Sequence, residues 1–314
     1  MTSSRRQFLA HGALGAAALM SRPGFAQSAP LPTKFYLNLS CGRIGVKASF
    51  PESVELAVKN GFEAVDPNPQ YFATLPDEEL QKLLQELQAK NLKFGCGGLP
   101  VDFRKDEAKF KEGLAQLGGI AATLKRVGVW RVSTYLSSSS NELTYLENFR
   151  SHAARLRACC EILKEHGQKL GLEYVGPMTS WRRGKHPFIH TMSEVKELIA
   201  AIGTGNVGVH LDSWHWHCAQ EGEAELLSLR NEDVTGVDLN DAPAGLTLDK
   251  LMDGSRELPL ATGVIPVKVF LDALRKIGYD GPVHAEPFNA ALRAMSREEA
   301  CAATAAAMKK AFRL

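Results

Sequence analysis

Four carboxylates are placed so that each closes an apolar run: Glu173 in GLEYVGP, Asp212 in GVHLDSWHWH, Asp238 in GVDLNDAP and Glu286 in GPVHAEP. Each run reads as a buried strand, and turn residues follow it. Charged side chains are rarely buried unless they are paired or bound to a cation. Four of them converging from consecutive strands read as a site for a hard metal ion. The competing reading is ordinary salt bridging at strand ends.

A metal held by adjacent hydroxyl and carbonyl oxygens of a sugar acidifies the carbon-bound proton and stabilises the enediolate that forms. A carboxylate on each face of that plane can take the proton from one side and return it on the other. Glu173 and Glu286 emerge from strands on opposite sides of Asp212 and Asp238, which makes them the expected acid/base pair as well as ligands. Four oxygen donors favour Mg²⁺ or Mn²⁺ over an ion that prefers imidazole. Trp214, His215, Trp216 and His217 follow the sixth strand; Trp214 offers a face for sugar stacking, with plain packing as the alternative. Trp181, Arg182, Arg183, Lys185 and His186 form a loop after the Glu173 strand. Arg182 is taken as its substrate-gripping residue, against the reading of a solvated basic loop. His210, within its strand, reads as a core histidine. Asp66 and Asn68 end the second strand, where they reach the same mouth.

The elements needed to position these groups alternate along the chain. Strand-like runs begin at Phe35, Phe62, Leu92, Val129, Leu172, Val207, Thr235 and Pro282. Helical spacing covers 53–60, 77–91, 106–126, 141–170, 193–202, 221–230, 267–277 and 296–312. Pro51 with Glu52, Ser193 and Ser296 read as helix starts, and Gly61, Gly128, Gly171 and Gly278 as stops. Eight strand–helix repeats predict a single-domain α/β fold, a closed parallel (β/α)8 TIM barrel. An open doubly wound sheet is the runner-up. No GxGxxG follows the first strand, which counts against a dinucleotide-binding version. The connection 242–263 exceeds ordinary βα loop lengths and leaves the end where the acids emerge, as a binding loop would.

The LEYVGP glutamate, the Asp-x-x-His of LDSWH, the NDAP turn and the late RELPLATGVIPV…GYDGPVHAEPF stretch together resemble the xylose-isomerase-like barrel group of sugar isomerases and epimerases. The likeness covers essentially all of 27–314. In that group a divalent metal is held by Glu, Asp, His and Glu from the fifth to eighth strands. The resemblance therefore implies Glu173, Asp212, Asp238 and Glu286 as ligands, with Asp238 standing where His is usual and reaching less far. It also implies that His215 hydrogen-bonds a substrate oxygen and that Arg256, in the long loop, contacts substrate. Asn240 and Asp241 are read as shaping the turn. The expected function is a metal-dependent isomerase or epimerase of a non-phosphorylated keto-sugar or related polyol. A lyase or dehydratase acting on a 3-keto-glycoside or keto-inositol shares the first step, and a non-catalytic sugar-binding barrel is the third reading. A DNA-repair endonuclease of the same barrel group suits neither the charge nor the N-terminus. Association between copies is common in the group.

Residues 1–26 read as an address. SRRQFL at Ser4 to Leu9 is a twin-arginine (Tat) export pattern, followed by an Ala/Gly/Leu stretch and by small residues at Gly24 and Ala26. The apolar stretch is shorter than the roughly 20 residues of a membrane span. The expectation is a periplasmic or otherwise exported barrel that meets the Tat machinery and holds no membrane anchor when mature. Export also argues against sugar phosphates as substrates. Setting aside Arg5, Arg6 and Arg22 turns the formal charge from +2 to −1, which leaves no footprint for nucleic acid or anionic lipid. The six cysteines match no zinc ribbon and no CxxC pair.

Overall fold

The computed structural model describes residues 32–314, so the export pattern lies outside the described residues. The apolar runs form β1 (Tyr36–Leu39), β2 (Ala64–Val65), β3, β4 (Arg131–Tyr135), β5 (Lys169–Glu173), β6 (Val207–Asp212), β7 (Val234–Asp238) and β8 (Pro282–His284). β3 is in two pieces, Lys93–Phe94 and Gly97–Gly98. Every barrel pairing is parallel, and β1 lies between β8 and β2. The first piece of β3 pairs with β2 and the second with β4. That change of partner closes the sheet, giving the expected eight-stranded barrel. All six residues of β6 are buried, because the ring covers one face of the strand and the helices the other.

The helices form the outer layer. Val267–Lys276 buries Val267, Phe270, Leu271 and Leu274, one stripe at helical spacing. Ser49 and Ser296 head their helices through reciprocal bonds with Glu52 and Glu299. Gly61 ends the first helix at φ 68°, a conformation that favours glycine. Among the described residues, no helix is long and apolar enough to cross a membrane.

Several boundaries differ from the sequence expectation. The helix expected over 141–170 is Tyr145–Glu165, and β5 already begins at Lys169. Gly167, at φ 72°, makes that stop. Gly171 lies inside β5, where a Cβ would come within 1.7 Å of Thr235 Oγ1; it is a packing glycine of the barrel interior. The cap expected at Ser193 is Thr191, whose hydroxyl accepts from the Glu194 amide. The helix expected over 221–230 shrinks to Glu223–Leu227. A short helix, Ser213–Cys218, was not anticipated, and it carries His215.

Asp241 fixes the long connection 242–263. Its Oδ1 accepts from the amides of Ala242 (2.8 Å) and Ile265 (2.9 Å), and its Oδ2 from Thr262 (2.9 Å) and Gly263 (2.7 Å). Both ends of the loop are thus tied to one buried carboxylate at the mouth of the barrel.

Candidate active site

Glu173, Asp212 and Asp238 are the last residues of β5, β6 and β7, and Glu286 follows β8 by two residues. Asp238 sits in register with Asp212 on one side and His284 on the other. Side chains of a strand alternate between faces, so Glu286 shares the inward face of His284. One carboxylate oxygen from each of the four acids lies within 4.8 Å of the others. Glu173 and Glu286 line a cavity of about 600 Å³ together with Arg43, Asp66, Arg104, Tyr135, His215, Asp253, Arg256 and Phe288, while Asp212 and Asp238 are buried behind its wall.

Burial this deep makes each charge depend on its partners. Arg256 is 2 % exposed and its Nη1 lies 2.8 Å from Asp212 Oδ2 and 3.0 Å from Glu286 Oε2, with Nη2 2.8 Å from Asp253. Its guanidinium packs over Phe288 and the buried Trp214 ring. Burial pushes Asp212 up to about 7 despite Arg256. Asp238 is different. Burial pushes it upward too, but Arg43, His284 and His210 outweigh that and hold it well below the usual carboxylate range. His210 Nε2 is 3.0 Å from Asp238 Oδ2, so this buried strand histidine supports the acid, while its Nδ1 is left without a partner. Glu173 has no arginine. Burial, joined by the charges of Asp238, Glu286 and Asp212 and opposed by His210, holds it well above its ordinary value. Its Oε1 is buried without a hydrogen-bond partner and belongs to the oxygen cluster.

His215 enters from the helix that Asp212 caps, with Nε2 3.8 Å from both Glu173 and Asp212. Its Nδ1 accepts from the Gly176 amide at 3.3 Å. That bond assigns the proton of the neutral ring to Nε2, and burial keeps the ring neutral by lowering its pKa to about 3. Nε2 is therefore a donor aimed into the cavity.

The structure brings Glu173, Asp212, Asp238, Glu286, His215 and Arg256 together. Trp214 is fully buried beneath Arg256, not on the cavity wall, and so offers its face to the guanidinium in place of a sugar. Arg182 is exposed and stacks over Trp181, outside the cavity lining. Asp66 does line the cavity, held by Asn38 (2.7 Å) and Ser40 (2.5 Å), whereas Asn68 caps the following helix. Asn240 bonds Asp212 Oδ1 through its amide (3.0 Å) and accepts from the Glu286 amide (2.9 Å), joining two of the acids beyond its part in the turn.

Sequence reasoning missed Arg43, Arg104 and Asp253. Arg43 comes from the turn after β1 and Asp253 from inside the long loop, neither carried by a strand-end pattern. Arg104 stacks over Tyr135, 4.1 Å from the ring centre, and donates to its carbonyl at 2.7 Å.

The donor set fits a divalent ion. Four oxygen ligands of the hard type face one another, and Glu173 Oε1 has no other partner. Two further groupings overlap it: Glu173 with Asp212 and His215, and His210 with Asp238 and His284.

Comparison with known proteins agrees. Residues 54–311 match the family model described as xylose isomerase-like TIM barrel. An inosose isomerase of Halalkalibacterium halodurans is 27 % identical over 263 residues, covering 79 % of this chain and 86 % of its own. The structure of a xylose isomerase domain protein from Alicyclobacillus acidocaldarius superposes with a TM-score of 0.78 at 28 % identity, covering 89 % of this chain and 98 % of that one. A zinc-bound IOLI protein shares the fold at TM-score 0.72 and 21 % identity, covering 88 % of this chain and 98 % of that one. With the barrel, the strand-end acids and the match over 54–311 in agreement, the chain belongs to the xylose isomerase-like TIM-barrel family and is an enzyme of that isomerase and epimerase superfamily.

Proposed function

We propose that the chain is an isomerase or epimerase of a non-phosphorylated keto-sugar or keto-polyol, with a keto-inositol as the first substrate class to try. The observation that carries this reading is the Glu173–Glu286 pair. Carboxylate oxygens of the two lie within 4.8 Å across the cavity floor, in contrasting surroundings. Glu173 is buried among acids and favours its protonated form. Glu286 accepts from Arg43 and Arg256. Titratable groups in such contrasting environments suit acid and base roles.

In this reading Glu286 removes the proton from the carbon beside the carbonyl. Glu173 delivers its proton to the neighbouring position or the opposite face, and the roles reverse in the other direction. His215 donates from Nε2 to a substrate oxygen, and Arg256 keeps Asp212 and Glu286 in place. A divalent ion, Mg²⁺ or Mn²⁺, held by Glu173, Asp212, Asp238 and Glu286 would polarise two adjacent substrate oxygens. The inosose isomerase relative supports the choice of substrate class. The SRRQFL pattern supports export of the barrel by the Tat route.

The test is product analysis by NMR after incubation with a panel of keto-inositols and keto-hexoses. An isomeric product with every carbon–oxygen bond kept is expected. Loss of water or of a glycosidic group would make the chain a lyase, and no product from any substrate would leave binding alone.

A further inference from the structure

Arg43 enters the site from the turn that follows β1, and its guanidinium lies among the acids as a bound cation would. Nη1 is 2.8 Å from Asp238 Oδ2 and 2.5 Å from Glu286 Oε1. A single nitrogen thus bridges carboxylates from β7 and from beyond β8. Its side chain is 26 % exposed, reaching inward from the mouth, whereas Asp238 is fully buried. Arg256 bridges Asp212 and Glu286 in the same manner from the opposite loop. Among the four acids, Glu173 Oε1 and Asp238 Oδ1 are buried without a hydrogen-bond partner, the latter in contact with His284 Nε2.

An ion bound by all four acids takes one oxygen from each, and both oxygens of Glu286 are held by an arginine, Oε1 by Arg43 and Oε2 by Arg256. Metal–oxygen distances near 2.1 Å would set that ion beside Nη1, where two positive charges repel with little water to screen them. We infer that Arg43 and a divalent ion are alternative occupants of the Asp238–Glu286 pair, Arg43 being a cation built into the chain that keeps the acids assembled without an ion and weakens the binding of one. The inference rests on the four-acid cluster of the proposed function. It is read by binding alone, so failure of the isomerase reading with any sugar leaves its test intact.

The test is calorimetric titration of Mn²⁺ into chelator-treated protein, wild type and variants, with thermal melts of each. Arg43→Met should bind Mn²⁺ at least tenfold more tightly than wild type, near one ion per chain, and adding Asp238→Asn should abolish the gain. Without ion, Arg43→Met should melt below wild type, and Mn²⁺ should restore it. If Arg43→Met does not fold, Arg43→Lys decides. Lysine keeps the charge but lacks the planar fork that spans two carboxylates, and a severalfold gain in affinity is expected. An affinity equal to or weaker than wild type in the folded variant, or no binding in either protein, overturns the inference.

Discussion

At the level of single residues, neighbours divide four similar acids into different roles. Asp238 is enclosed by Arg43, His210 and His284, Asp212 and Glu286 share Arg256, and Glu173 is left with burial. His215 stands among them as a donor, because the Gly176 amide claims its other nitrogen. His215→Ala should raise KM about tenfold, the worth of roughly 1.4 kcal/mol from one hydrogen bond to substrate. Metal content by elemental analysis should stay as in wild type; loss of metal would make His215 a ligand. The acids, His215 and Arg256 were legible because each stands at a fixed offset from a strand end or within a family-like stretch. Arg43 was not. It lies 195 residues from Asp238 in sequence, in a turn whose composition announces nothing. Trp214 and Arg182 lie off the cavity wall, a placement hidden for a related reason: sequence shows that an aromatic or a cation is near the site but not which way its side chain points.

At the scale of elements, the alternation of strands and helices was legible because a strand buried on both faces and a helix with one apolar stripe leave different periods. The boundaries were less so where two signals compete. Gly171 looks like a helix stop, yet it sits in β5 because Thr235 leaves no room for a side chain. The split of β3 around Gly95 and Cys96, which closes the ring, is set by which neighbours the two halves meet. The 242–263 connection was recognised by length, and its order comes from Asp241. Asp241→Ala strips the partners from four backbone amides at once. It should cost about 3–5 kcal/mol in denaturant unfolding and expose 242–263 to proteolysis. A loss under 1 kcal/mol, with the loop still protected, would show that other contacts hold it.

At the scale of the molecule, one barrel presents its acids at the C-terminal ends of its strands, where such folds place their chemistry. Export is argued from SRRQFL alone, outside the described residues. Replacing Arg5 and Arg6 by lysine should hold the full chain in the cytoplasm of a Tat-competent bacterial host, as read by fractionation; unchanged export would remove the Tat assignment. The central claim is that Glu173 and Glu286 move a carbon-bound proton. Solvent deuterium incorporation into a keto-inositol, followed by NMR for wild type, Glu173→Gln and Glu286→Gln, tests it most directly. Wild type should exchange and each variant should lose at least about a thousandfold, of the order seen when a group acting directly in proton transfer is removed, with melting temperatures within a few degrees of wild type. Exchange at the wild-type rate in either folded variant would contradict it.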